Sequence, residues 1–94
     1  MDSLIAQERE GIARVAAKFG AANVRVFGSR ARGEATAGSD LDLLVELERG
    51  RSLLDLIALE RELKSLLGIE VDVLTPGSIS PYFRDDIERE AIPL

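Results

Sequence analysis

The sequence predicts an α+β domain with a small mixed sheet of about three strands backed by helices. Two long stretches, residues 2–19 and 53–67, repeat apolar residues at helical spacing. Three short runs, at 23–27, 40–47 and 69–74, are rich in Val, Leu, Ile or Phe and read as strands. Glycines punctuate the joins, at Gly20, Gly28, Gly38, Gly50 and Gly68. A chain of 94 residues is expected to form one domain, 1–94, with a modest core and a site open at the surface.

In the first helix Leu4, Ile5, Ile12, Val15, Ala16 and Phe19 form the apolar stripe, and Gly20 is its natural stop. Asn23 to Phe27 is a strand running into Gly28. Ser29 to Gly38 is small, polar and basic, and reads as a short helix followed by a loop. From Asp40 to Leu47 the pattern alternates. Leu41, Leu43, Val45 and Leu47 face one way, and Asp40, Asp42, Leu44 and Glu46 the other. Ser52 is placed to cap a helix over Leu53–Leu67, which Gly68 ends. Ile69 to Leu74 alternates again, with Asp72 opposed to Val71 and Val73. Pro76, Gly77 and Pro81 mark a loop before a last helix from Tyr82 to Ala91, where Tyr82 and Phe83 are expected to pack. The stretch 53–67 is long enough for a crossover between parallel strands, and antiparallel edges also fit.

Composition narrows the chemistry. There is no cysteine and no histidine, which excludes disulfides, thiolate zinc sites and imidazole catalysis. Any metal must sit among oxygen ligands, which points to magnesium or manganese. No apolar run is long enough to span a bilayer, and Asp2, Glu8 and Glu10 interrupt any signal peptide, so a cytoplasmic location is expected. The net charge of −5 argues against stable binding to nucleic acid.

The chemically informative segment is Gly28-Ser29, ten intervening residues, then Asp40-Leu41-Asp42. Two carboxylates spaced two apart on a strand project from one face and repel unless a cation neutralises them. A second cation about 4 Å away would form a clamp on a transferring phosphoryl group. Asp72, in phase on a neighbouring strand, would join them as a metal ligand or as a base. Gly28 allows a phosphate close to the backbone, Ser29 offers a hydroxyl, and Arg30 and Arg32 suit the charge of a triphosphate. A phosphate cradle would thus face a metal cage.

These residues, GSRARGEATAGSDLDLLVE followed by EVDVL, resemble the minimal nucleotidyltransferase family of the DNA polymerase beta-type superfamily. The resemblance covers nearly the whole chain and implies a nucleotidyltransferase-like core. It assigns Gly28 and Ser29 to the triphosphate, and Asp40, Asp42 and Asp72 to Mg²⁺, with ATP or another NTP as substrate. It further implies an antitoxin that adenylylates a tyrosine on a HEPN-type ribonuclease toxin. Two other functions stay open: a catalytically silent antitoxin that only binds its toxin, and a transferase acting on a small molecule or an RNA end. The complete aspartate set speaks against the first. The acidic charge and the lack of room for a substrate domain speak against the second.

Overall fold

The computed structural model describes residues 2–94. The first helix, α1 (Ser3–Lys18), begins where Asp2 accepts the backbone N–H groups of Leu4 at 2.9 Å and Ile5 at 3.3 Å. After Gly20, strand β1 covers Ala21–Phe27, and the short α2 covers Ser29–Arg32. Strand β2 (Leu41–Leu47) leads to α3 (Leu53–Leu67), then to β3 (Val71–Leu74). A single 3-10 turn at Pro76–Ser78, helix α4 (Pro81–Glu90) and strand β4 (Ile92–Pro93) complete the chain. Helix α3 starts in a reciprocal cap: Ser52 accepts from the backbone of Leu54, and Asp55 takes the Ser52 N–H. It ends on Gly68 at φ +71°, in the left-handed region that a side chain would disfavour.

The sheet has four strands in the order β3-β2-β1-β4, where the sequence pattern had suggested about three. The additional strand is two residues long and contains Pro93, so it has no alternation to read and is tolerated only at an edge. Strands β1 and β2 are antiparallel, β1 and β4 antiparallel, and β2 and β3 parallel. Helix α3 is therefore the crossover between the parallel pair. At the β3 edge, the Glu60 carboxylate of α3 accepts the Val73 N–H at 2.8 Å, occupying a donor that an edge strand would otherwise expose.

The two faces of the sheet are covered unequally. Against one face pack α1 and α3, and Ile5, Ile12, Ala16, Val26, Leu41, Leu43, Val45, Leu59, Leu63, Val71 and Val73 form the main core. Each fully buried aliphatic side chain of this kind contributes about 1.5–3 kcal/mol. On the other face lies a smaller cluster of Phe27, Leu44 and Ile79, with Leu74, Ile87 and Ala91 against it. Asp42 and Asp72 stand near the N-terminal ends of the parallel strands, where Phe27 pairs with Asp42.

Helix α4 lies over that smaller cluster with no buried residue of its own. Its half-buried positions, Arg84, Ile87 and Glu90, recur at a spacing of three and turn that stripe toward the sheet. Tyr82 and Phe83 fall outside this stripe and are 89% and 59% exposed, so the packing role expected from their residue type is not met. Among the described residues no helix is long and apolar enough to cross a membrane.

Candidate active site

The site is built where the last residue of β1 meets the first turn of β2. Phe27 pairs with Asp42 in the antiparallel ladder, and the next residue, Gly28, turns with φ +78° and ψ −157°. A Cβ on Gly28 would lie 2.3 Å from Asp42 Oδ2. Glycine is thus required twice, for its backbone conformation and for the space the Asp42 carboxylate occupies.

Asp42 in turn pairs with Asp72 across the parallel ladder, between Leu41↔Val71 and Leu43↔Val73. Paired residues of adjacent strands lie on one face about 4.8 Å apart. Asp40 immediately precedes β2, two residues before Asp42. The structure puts Asp42 and Asp72 on one open sheet face, with Asp40 close enough to repel Asp42, and Asp42 is half-buried while the other two are exposed. Partial burial pushes the Asp42 carboxyl above its ordinary range, and repulsion from Asp72 and Asp40 adds to the shift. Among the described residues no three acidic side chains already converge into a cation cage. The donor set is nonetheless all carboxylate oxygen, which suits a hard divalent cation such as Mg²⁺, and the mutual repulsion would favour one.

Ser29 opens α2 directly after Gly28 and is half-buried. Arg32, at the end of α2, projects outward, where its Nε donates to Glu34 at 2.6 Å and its Nη1 to Glu90 at 2.6 Å.

Arg30 behaves differently from Arg32. Its side chain is only 3% exposed, and Nη1 donates to Asp2 Oδ2 at 2.8 Å. Its Nε and Nη2 both donate to the Ser39 carbonyl, at 3.2 and 2.8 Å, and Nη2 also reaches the Ala37 carbonyl at 3.2 Å. The guanidinium that the sequence pattern had grouped with Arg32 on phosphate is directed into the loop before Asp40. It ties that loop to the start of α1. The reason is geometric: on a helix this short, positions 30 and 32 face opposite sides. Asp2 serves both partners, one oxygen capping α1 and the other meeting Arg30.

Glu90 is the residue that the pattern did not single out. Its Oε2 accepts the Gly28 N–H at 2.9 Å and its Oε1 accepts Arg32 Nη1. The Gly28 donor, followed by Arg32, holds this carboxyl below the ordinary glutamate range. No local signal announces the contact, because it joins residues 62 positions apart. A cleft of about 400 Å³ lined by Asp2, Val26, Arg30, Ala31, Gly33, Ala35 and Ile92 lies beside α2 and includes none of Asp40, Asp42 and Asp72.

A parallel-and-antiparallel sheet with Asp-x-Asp at the start of one strand, a third aspartate across from the second and a Gly-Ser turn packed on that second aspartate defines a nucleotidyltransferase core. The chain belongs to the nucleotidyltransferase domain family, whose model matches residues 8–94. It is 51% identical over 75 residues to a Methanocaldococcus jannaschii protein with the provisional name protein adenylyltransferase, covering 80% of this chain and 81% of that protein. It is 41% identical over 75 residues to the protein adenylyltransferase MntA of Thermococcus cleftensis, covering 80% of this chain and 76% of that protein. A solved structure provisionally described as a minimal nucleotidyltransferase superposes with a TM-score of 0.87 at 48% identity, over 100% of this chain and 97% of that one. A toxin–antitoxin crystal structure with AMP-PNP shares the fold at a TM-score of 0.77 and 20% identity, over 89% of this chain and 69% of that one.

Proposed function

We propose that this protein transfers AMP from ATP to a tyrosine hydroxyl of a HEPN-type ribonuclease toxin, and so acts as its antitoxin in the cytoplasm. The observation that carries the reading is the pairing of Asp42 with Asp72, with Gly28 packed directly on Asp42. It sets acidic side chains against a turn whose backbone a phosphate can approach. Asp40, Asp42 and Asp72 would hold Mg²⁺, as a one- or two-ion site. When bound, the ion would neutralise phosphate charge as it develops.

The chain's own groups would do the rest. The Gly28 N–H, the Ser29 hydroxyl and the Arg32 guanidinium would orient the triphosphate. The acceptor oxygen would form a bond to the α-phosphorus as the α–β bridging bond breaks and pyrophosphate leaves toward Ser29 and Arg32. The hydroxyl proton would pass to a carboxylate, a role Asp72 would take. A surface site without walls suits an acceptor delivered by a docked protein, and an acidic surface suits a basic RNA-cutting partner. The adenylyltransferase names of the relatives and the toxin–antitoxin setting of the fold neighbour support this reading.

Co-expression with a HEPN protein encoded beside this chain, followed by intact-mass measurement of that partner, tests it. Adenylyl additions on the partner that disappear with Asp42→Asn are expected. A partner that stays unmodified, yet is silenced equally by the Asp42→Asn variant, would show an antitoxin that works by binding alone.

A further inference from the structure

We infer that Glu90 is a built-in competitor of the nucleotide: its carboxylate occupies the anion position of the phosphate cradle and must leave before a triphosphate can load. The inference rests on the nucleotide reading of that cradle and adds a regulatory contact to it. Two of the three donors assigned to the cradle, the Gly28 N–H and Arg32 Nη1, are both engaged by one carboxylate, one oxygen to each. A backbone N–H has a single hydrogen to give, so the Gly28 amide cannot serve Glu90 and a phosphate oxygen fully at once. The carboxylate is also an anion close enough to Asp42 to repel it. A triphosphate arriving next to it would meet added repulsion as well as occupied donors.

The element that carries Glu90 is lightly held. Helix α4 buries no residue, and its hold on the sheet comes from Ile87 and Ala91 at the small apolar cluster, an Arg84 contact to the Ile79 carbonyl at 3.3 Å, and Glu90 itself. The chain just beyond is anchored by β4 and by the Leu94 N–H, which donates to the Val24 carbonyl at 3.0 Å. Release therefore asks only that the last turn of α4 loosen, while β4 stays in the sheet. A closed form with Glu90 in place lowers apparent nucleotide affinity by the fraction of molecules that are open. Because the ion pair is partly solvated, that factor should be modest, about three- to tenfold.

The test is calorimetric titration of AMP-PNP with Mg²⁺ into wild type, Glu90→Gln and Glu88→Gln. Glu88 is exposed on the same helix, and its variant removes the same charge without the contact. Affinity is expected to tighten about three- to tenfold in Glu90→Gln and to stay within about twofold of wild type in Glu88→Gln. Equal tightening in both variants would reduce the effect to bulk charge and overturn the inference. Unchanged or weaker binding by Glu90→Gln, with wild type still binding, overturns it and leaves the nucleotide site standing. If no form binds AMP-PNP, the nucleotide reading of the cradle falls and the inference with it. Should the variant fold poorly, hydrogen exchange on wild type decides. The Ala91 amide, which donates to the Ile87 carbonyl at the end of α4, should exchange faster when AMP-PNP is bound, and unchanged protection would overturn the proposal.

Discussion

At the scale of single residues, Arg30 and Arg32 show how two identical side chains two positions apart take unrelated work. Arg30 joins Asp2 to the carbonyls of Ala37 and Ser39, so it shapes the loop that delivers Asp40. Removing one partner of a buried charge pair leaves the other without compensation, and Arg30→Ala should destabilise the fold by about 3 kcal/mol. Arg30→Lys should recover less than half of that loss, because a single ammonium cannot replace a planar fork that meets Asp2 and several carbonyls. Urea unfolding of both variants checks this. A wild-type midpoint in Arg30→Ala would show that the loop does not depend on the contact. Glu90 supplies a pH signature. Its folded-state carboxyl titrates below the ordinary value of 4.5, so it stabilises the fold at neutral pH, and that contribution is lost as pH falls through the lowered folded value. The stability gap between wild type and Glu90→Gln should therefore be present at pH 7 and shrink progressively as pH falls below the ordinary glutamate range, measured by denaturant titration at each pH.

At the scale of elements, the helices and strands are set by signals a few residues wide. Ser52 and Asp55 form their reciprocal cap within one turn, and Gly68 closes the same helix. Ser52→Ala should lower stability by about 1 kcal/mol with an unchanged urea m-value, since the fold is kept and one cap is lost. Nucleotide binding should be unaffected, because the cap lies at the far end of β2 from Asp42. A fall in AMP-PNP affinity in that variant would mean that α3 transmits strain into the site. Where element reading failed, the cause was the same: β4 is too short to show a period, and the rotation of α4 about its axis is decided by what it lies on. Residue type alone suggested that Tyr82 and Phe83 would pack, but the stripe through Arg84, Ile87 and Glu90 faces the sheet instead.

For the whole molecule, one sheet face is closed by two helices and the other is only partly covered, which leaves the aspartates open to solvent. Mg²⁺ with ATP should raise the thermal midpoint more than ATP with a chelator, because a ligand that binds only the folded state stabilises it by mass action. Differential scanning fluorimetry with both mixtures checks this, and equal shifts would count against carboxylate-held metal at Asp40, Asp42 and Asp72. The acidic surface, at a net charge of −5, acts over longer range and bears on the choice of partner rather than on the fold.

The sequence by itself determined the helices, the three main strands, the closeness of Asp40 and Asp42, and the Gly-Ser turn. Each of these is written in periodicity or in adjacent residues, where the physics is local. It also limited any metal chemistry to oxygen ligands by the absence of His and Cys. Only the tertiary structure decided that Asp72 stands directly across from Asp42, that Asp42 fills the space a Gly28 side chain would need, and that Arg30 points inward to Asp2. It alone placed Glu90 on Gly28 and Arg32. Those contacts depend on strand register and on how helices lie across the sheet, and register is set by the burial of one whole face rather than by any residue in the site.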